Sequence, residues 1–171
     1  IHNEAIMLGF ILAGLEVGLR GVDVLPHRNA WALIAASGAL ITCAGLVKVT
    51  GFFALGFTGM ALARAFHEAG RPTVRAIAQA VLVQTVLLVA TTAVVSLSSG
   101  IGLGWVTGQG GAASIRSWLS LTTDIGVIGG FIAMLLGLGD HTEAMLVVTR
   151  TAGLAVAAAF GVRMLWATFK G

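Results

Sequence analysis

Charged side chains are scarce in this sequence. Only 10% of its 171 residues are Asp, Glu, Lys or Arg, against about 25% in soluble domains. Between Arg75 and Arg116 there is no charge at all. With 57% hydrophobic residues and a mean hydropathy of +0.98, a soluble globular domain is excluded and an integral membrane protein is indicated. The single cysteine, Cys43, excludes an internal disulfide and a Cys-based metal site. No Asn-x-Ser/Thr sequon occurs, and no basic cluster alternates with aromatics, so nucleic acid is not expected as a partner.

Motifs are missing too. No glycine-rich loop ends in Lys-Ser/Thr, so ATP hydrolysis is not expected to drive this segment. No Asp-x-Asp is present to seat a metal-held nucleotide sugar. Gly102-x-Gly104 follows no strand, so it is not a dinucleotide fingerprint. Asp140, His141 and Glu143 offer metal-ligand chemistry, but no HExxH or second ligand pair accompanies them, and acids gather beside helix N-termini anyway. Neither a metal nor a cofactor is therefore expected. The chain opens on Ile1 without a basic n-region or small-residue cleavage site, which argues against a signal peptide. A polar motif within the first four residues suggests an internal piece of a longer polytopic protein, and residues 1–171 are read as one membrane-embedded segment.

What is present is a series of long apolar runs. The clearest, Ala76 to Leu97, can cross a hydrocarbon core at about 1.5 Å per helical residue. Its polar members are Gln, Thr and Ser, which bond to helix turns or to a neighbouring helix. A first helix is predicted from Asn3, a good N-cap, to about Gly21. In it Glu16 and Arg20 stand four apart, acid first, as a favourable pair, and Gly14 and Gly18 form a small-x-x-x-small face. A turn from Val22 to Asn29 leads to a second helix, Ala30 to Val47, interrupted at Lys48-Val49-Thr50-Gly51. A third runs from Phe52 to about Phe66, and Pro72 sits in the first turn of the fourth. The stretch from Ser98 to Asp124 is irregular, with Trp105 and Trp118 placed like interfacial anchors. Ile125 to Leu138 has 14 residues, which suits a re-entrant or interfacial segment better than a span. A last helix covers Ala144 to about Phe169. The prediction is an all-α, polytopic membrane helix bundle with about five transmembrane helices and one re-entrant or interfacial segment.

Orientation follows from the basic residues. With the His2-Asn3-Glu4 end outward and Ile125 to Leu138 not crossing, the inner side holds Arg20, Arg28, Arg64, Arg71, Arg75, Arg163 and Lys170, as the positive-inside rule favours; a crossing would move Arg163 and Lys170 outside and weaken the bias. The outer side then collects His2, Asn3, Glu4, Lys48, Arg116, Ser117, Trp118, Ser120, Thr122, Thr123 and Asp124, with Asp140, His141 and Glu143. Lys48 as a point charge and Arg116 as a fork are suited to a phosphate. Glu4 is suited to a sugar hydroxyl or to proton transfer. Each has a plainer reading: His2-Asn3-Glu4 as a helix-capping sequence, Lys48 snorkelling at an interface, Arg116 solvated in a loop.

Several strings carry a resemblance. IHNEAIMLGFILAGLEVGLRG, ALITCAGLVKVTGFFAL, GLGWVTG, SIRSWLSLTTDIGVIGG and DHTEAMLVVTRTAGL, followed by LWATFKG, resemble in the same order the polyprenyl-phosphate-mannose-dependent α-1,6-mannosyltransferases of the GT-C class. These actinobacterial enzymes build lipomannan and lipoarabinomannan cores. The resemblance implies part of a GT-C fold of about a dozen helices, a multi-pass plasma-membrane location, polyprenyl-phosphate-mannose as donor and a growing mannan as acceptor. It implies donor and acceptor sites lined by His2, Asn3, Glu4, Lys48, Arg116, Ser117, Trp118, Ser120 and Thr123, with the catalytic base in an outer loop preceding Ile1. The alternative is a non-enzymatic membrane protein such as a transporter half or assembly subunit, which the glycine-interrupted helices near Lys48 would suit. No internal repeat supports that alternative.

Overall fold

The computed structural model describes residues 3–100, 104 and 120–171. Among the described residues six helices follow in order: α1 (Asn3–Asp23), α2 (Arg28–Val47), α3 (Phe53–Glu68), α4 (Thr73–Ser99), α5 (Leu121–Leu135) and α6 (Thr142–Lys170). A 3-10 turn, Val49–Phe52, precedes α3. No strand occurs among the described residues. Among the described residues five segments are long and apolar enough to cross a membrane: α1, α2, the 3-10 turn with α3, α4 and α6. The chain is thus an all-α, polytopic membrane protein, as its composition demands. Helix α5, at 15 residues, is the shorter apolar helix.

Small boundary differences have local causes. Asn3 is helical, within α1, and so is not its cap. Pro72 (φ −57°, ψ 140°) stands just before α4 and not in its first turn. Helix α2 starts two residues early, because the turn closes through His27 N–H to the Val24 carbonyl at 2.9 Å and Ala30 N–H to the His27 carbonyl at 3.0 Å. Helix α6 also starts early, where Asp140 Oδ1 accepts the Thr142 N–H at 3.0 Å.

The chain divides into two compact units: α1–α4 together with Leu165–Gly171, and α5 with α6 as far as Met164. In the first unit, α1 and α2 run antiparallel and touch through the glycine face read from the sequence. A Cβ at Gly14 would lie 2.5 Å from Ile41 Cγ1, and one at Gly18 would collide with Ser37 Oγ. Ser37 Oγ donates to the Gly14 carbonyl at 2.6 Å. Such contacts matter because lipid is as apolar as leucine, so close packing and hydrogen bonds hold membrane helices together. Toward one end, Ile34, Leu62, Ala63, Phe66, Ala76, Ala80 and Phe169 form a core; toward the other, Ile41, Ala54 and Leu55 form a second.

Between these cores, Gln84 of α4 donates through Nε2 to Thr58 Oγ1 of α3 at 3.1 Å. Its Oε1 is buried and has no partner among the described residues. Two magnitudes decide what Gln84→Leu should do. The lost interhelical bond contributes about 0.6 kcal/mol in a membrane, whereas a buried acceptor without a donor costs about 1–3 kcal/mol. Thr58 still reaches the Leu55 carbonyl, at 3.3 Å. Gln84→Leu is therefore expected to melt no lower than wild type in detergent; a clear drop in melting temperature would show that Oε1 has a donor elsewhere.

In the second unit, Gly126 and Gly130 of α5 lie against Leu146 and Thr142 of α6. Thr149 Oγ1 donates to the Thr122 carbonyl at 2.7 Å, tying the first turn of α5 to α6.

Candidate functional site

The site in the first unit is built where α2 stops. Lys48 is extended (φ −153°, ψ 125°), and its N–H still reaches the Ala44 carbonyl at 3.0 Å. Gly51 N–H then closes the 3-10 turn on the Lys48 carbonyl at 2.8 Å. The turn folds back onto the end of α2 because both contact points are glycines. A Cβ on Gly51 would sit 2.6 Å from the Ala44 carbonyl carbon, and one on Gly45 would enter the Phe52 ring. Backbone packing therefore fixes where the Lys48 side chain leaves the chain.

That side chain meets Glu4. Lys48 Nζ lies 2.7 Å from Glu4 Oε1, an ion pair spanning 44 residues of sequence. Both partners are exposed, with side-chain accessibilities of 47% and 72%. A pair this open to water is held weakly, so a competing anion can displace the carboxylate from the ammonium. Thr50 Oγ1 contacts Met7 Sδ at 3.5 Å, a second link between α1 and the turn.

Of the residues predicted to line the site, Asn3, Glu4 and Lys48 are brought to one end of the first unit. Ser120 and Thr123 stand in the second unit, at the start of α5. Ser120 precedes the helix, its Oγ 3.0 Å from Thr122 Oγ1, and its carbonyl accepts the Thr123 and Asp124 N–H groups at 2.8 and 3.0 Å. Thr123 is buried, at 4% exposure. His2, Arg116, Ser117 and Trp118 lie outside the described residues, as do Trp105 and the expected meeting of Lys48 with Arg116. Reading the sequence missed Glu4 as the partner of Lys48, and it missed Gly45 and Gly51 as the supports of the turn. The Lys48–Gly51 interruption was the available signal for those glycines.

The opposite end of the first unit is basic. The ends of α1 and α3, the starts of α2 and α4 and the last turn of α6 place Arg20, Arg28, Arg64, Arg71, Arg75 and Lys170 there, with Glu16, Asp23 and Glu68. Arg20 pairs with Glu16 at 2.6 Å, as the i,i+4 spacing predicts, and Arg64 with Glu68 at 2.7 Å. Among the described residues, no group of three or more His, Cys, Asp or Glu is placed to hold a metal.

Comparison with known proteins supplies the chemical context. Residues 1–64 match a family model described as the α-(1→6)-mannopyranosyltransferase N-terminal domain, and residues 122–171 match the MptB C-terminal domain. The whole chain is 67% identical to α-(1→6)-mannopyranosyltransferase B of Corynebacterium glutamicum, of which it covers 29%. It is 37% identical over its whole length to a probable α-(1→6)-mannopyranosyltransferase of Mycolicibacterium smegmatis, covering 33%. Against an α-(1→6)-mannopyranosyltransferase of Mycobacterium tuberculosis it is 31% identical over its whole length, covering 35%. The chain thus spans about a third of the length of these curated relatives, and the resemblance seen in its strings extends from end to end. No solved structure matches it.

Proposed function

We propose that these 171 residues are the middle part of a membrane α-1,6-mannosyltransferase of the GT-C class. The donor in this reading is polyprenyl-phosphate-mannose and the acceptor a growing mannan at the outer face of the plasma membrane. One observation carries the proposal: 67% identity over the whole chain to an α-(1→6)-mannopyranosyltransferase. The positive-inside rule supports the sidedness, since six of the basic residues of the first unit gather at the end away from Lys48.

In the proposed reaction a carboxylate takes the proton of the acceptor hydroxyl. The hydroxyl oxygen bonds to the anomeric carbon as the bond from that carbon to the phosphate oxygen breaks, with inversion. The lipid phosphate leaves with the electron pair. Lys48 stabilises the charge growing on that phosphate. Glu4 neutralises Lys48 until the donor arrives, with Asn3 beside it in the chain as a further polar group of the same end of the first unit.

The test is transfer of labelled mannose by membranes carrying the full-length protein, supplied with purified polyprenyl-phosphate-mannose and a short α-1,6-mannan. Transfer absent from membranes lacking the protein supports the assignment. Transfer from a nucleotide sugar but not from the lipid donor would overturn the donor class. No transfer from either would leave the non-enzymatic reading.

A further inference from the structure

At the basic end of the first unit lies a cavity of 780 Å³, opening beside Asp23, Trp31, Arg64, Phe66, Glu68 and Arg71. We infer that it binds the headgroup of an anionic phospholipid with free hydroxyls, of the phosphatidylglycerol kind. The cavity lies at the end away from Lys48, and the inference is independent of the transferase reading.

Arg71 is the anchor. Its guanidinium lies 4.4 Å from the centroid of the Phe66 ring and donates through Nη1 to Gln79 Oε1. Its backbone is held as well: the N–H reaches the Phe66 carbonyl at 3.2 Å, and the carbonyl lies 2.9 Å from His67 Nδ1. The preceding Gly70 makes the tight turn at φ +90°. Arg71 is thus oriented, yet it has no carboxylate within ion-pair distance among the described residues. A pre-positioned guanidinium without a counter-ion is a receptor for a phosphate oxygen.

The surroundings select which phosphate. The cavity's own lining sets Arg64 and Arg71 against Asp23 and Glu68, and the wider end adds Arg20, Arg28, Arg75 and Lys170 against Glu16, an excess of three positive charges counted from the sequence. That field opposes a headgroup bearing its own ammonium. Asp23 makes no ion pair among the described residues and offers an acceptor to a headgroup hydroxyl. Trp31, 46% exposed and 6.3 Å from Phe66, supplies the amphipathic wall usual at headgroup depth. Basic pockets between membrane helices are suited to such lipids.

The experiment is native mass spectrometry of the full-length protein, delipidated in detergent and titrated with phosphatidylglycerol, phosphatidylcholine or soluble glycerol phosphate. Phosphatidylglycerol is expected to bind about tenfold more tightly than phosphatidylcholine, with glycerol phosphate weaker still because it has no tail to bury. Arg71→Gln should weaken phosphatidylglycerol about tenfold, and Arg71→Lys should recover only part of it because the planar fork and the ring contact are lost. Equal retention of the two lipids would overturn the inference, as would an unchanged affinity in folded Arg71→Gln. Glycerol phosphate binding as tightly as the lipid would reassign the cavity to free phosphate esters and overturn it too. Should the variants not fold, the comparison of lipids on wild-type protein decides alone.

Discussion

Lys48→Ala in the full-length protein is expected to lower mannose transfer about a hundredfold at saturating donor, the scale on which removing a positioned electrostatic group acts. The loss belongs in kcat, because the charge that Lys48 meets grows as the phosphate leaves. Stability should hardly change, since the Glu4–Lys48 pair is exposed and such pairs contribute little to folding. Lys48→Arg keeps the charge and should retain part of the activity. Glu4→Gln leaves Lys48 without its counter-ion, so the anionic donor should bind at a lower KM while kcat stays within a few-fold. The measurements are steady-state kinetics with the lipid donor and a melting curve for each variant. Wild-type kcat in Lys48→Ala would remove that cation from the mechanism.

Gly51→Ala should be the most destabilising single methyl in the first unit. The added carbon would sit 2.6 Å from the Ala44 carbonyl carbon and 2.7 Å from the Gly45 nitrogen, so it would press directly on the Ala44–Gly45 peptide group. Overpacking of this kind costs about 1–3 kcal/mol, and no rotamer change relieves a clash with main chain. Gly45→Ala meets the Phe52 ring instead, and a ring can be made smaller. The pair Gly45→Ala with Phe52→Leu is therefore expected to recover much of what Gly45→Ala loses, whereas Phe52→Leu should not rescue Gly51→Ala. Both glycine variants should also reduce transfer, because moving the 3-10 turn moves Lys48. Thermal melts of the four proteins in detergent, with activity at a permissive temperature, check this. A Gly51→Ala protein as stable and active as wild type would mean the turn does not position the lysine.

The membrane architecture was legible because its cause is one-dimensional. Lipid penalises charge and unpaired backbone at every depth, so a span such as Ala76 to Leu97 declares itself by composition and length. The Glu16–Arg20 pair and the Gly14/Gly18 face were equally readable, since both partners or both small residues lie within a turn or so of one helix. The collinear strings gave the likeness to mannosyltransferases, which the relatives extend over the whole chain.

Contacts between helices were not legible in the same way. The sequence put Glu4 and Lys48 on one side of the membrane, but nothing in it said that they touch. That contact depends on the register of α1 against α2, which Gly14, Gly18 and Ser37 settle through atoms that meet only when the helices cross. Position along the chain determined which helices are long and apolar enough to span, which end is rich in arginine and where the second helix breaks. Tertiary packing alone decided that the lysine at that break faces a glutamate from the first helix, and that Arg71 turns over Phe66 beside a cavity. A side chain's burial cost depends on its own chemistry, while its partner depends on the shapes of two surfaces at once.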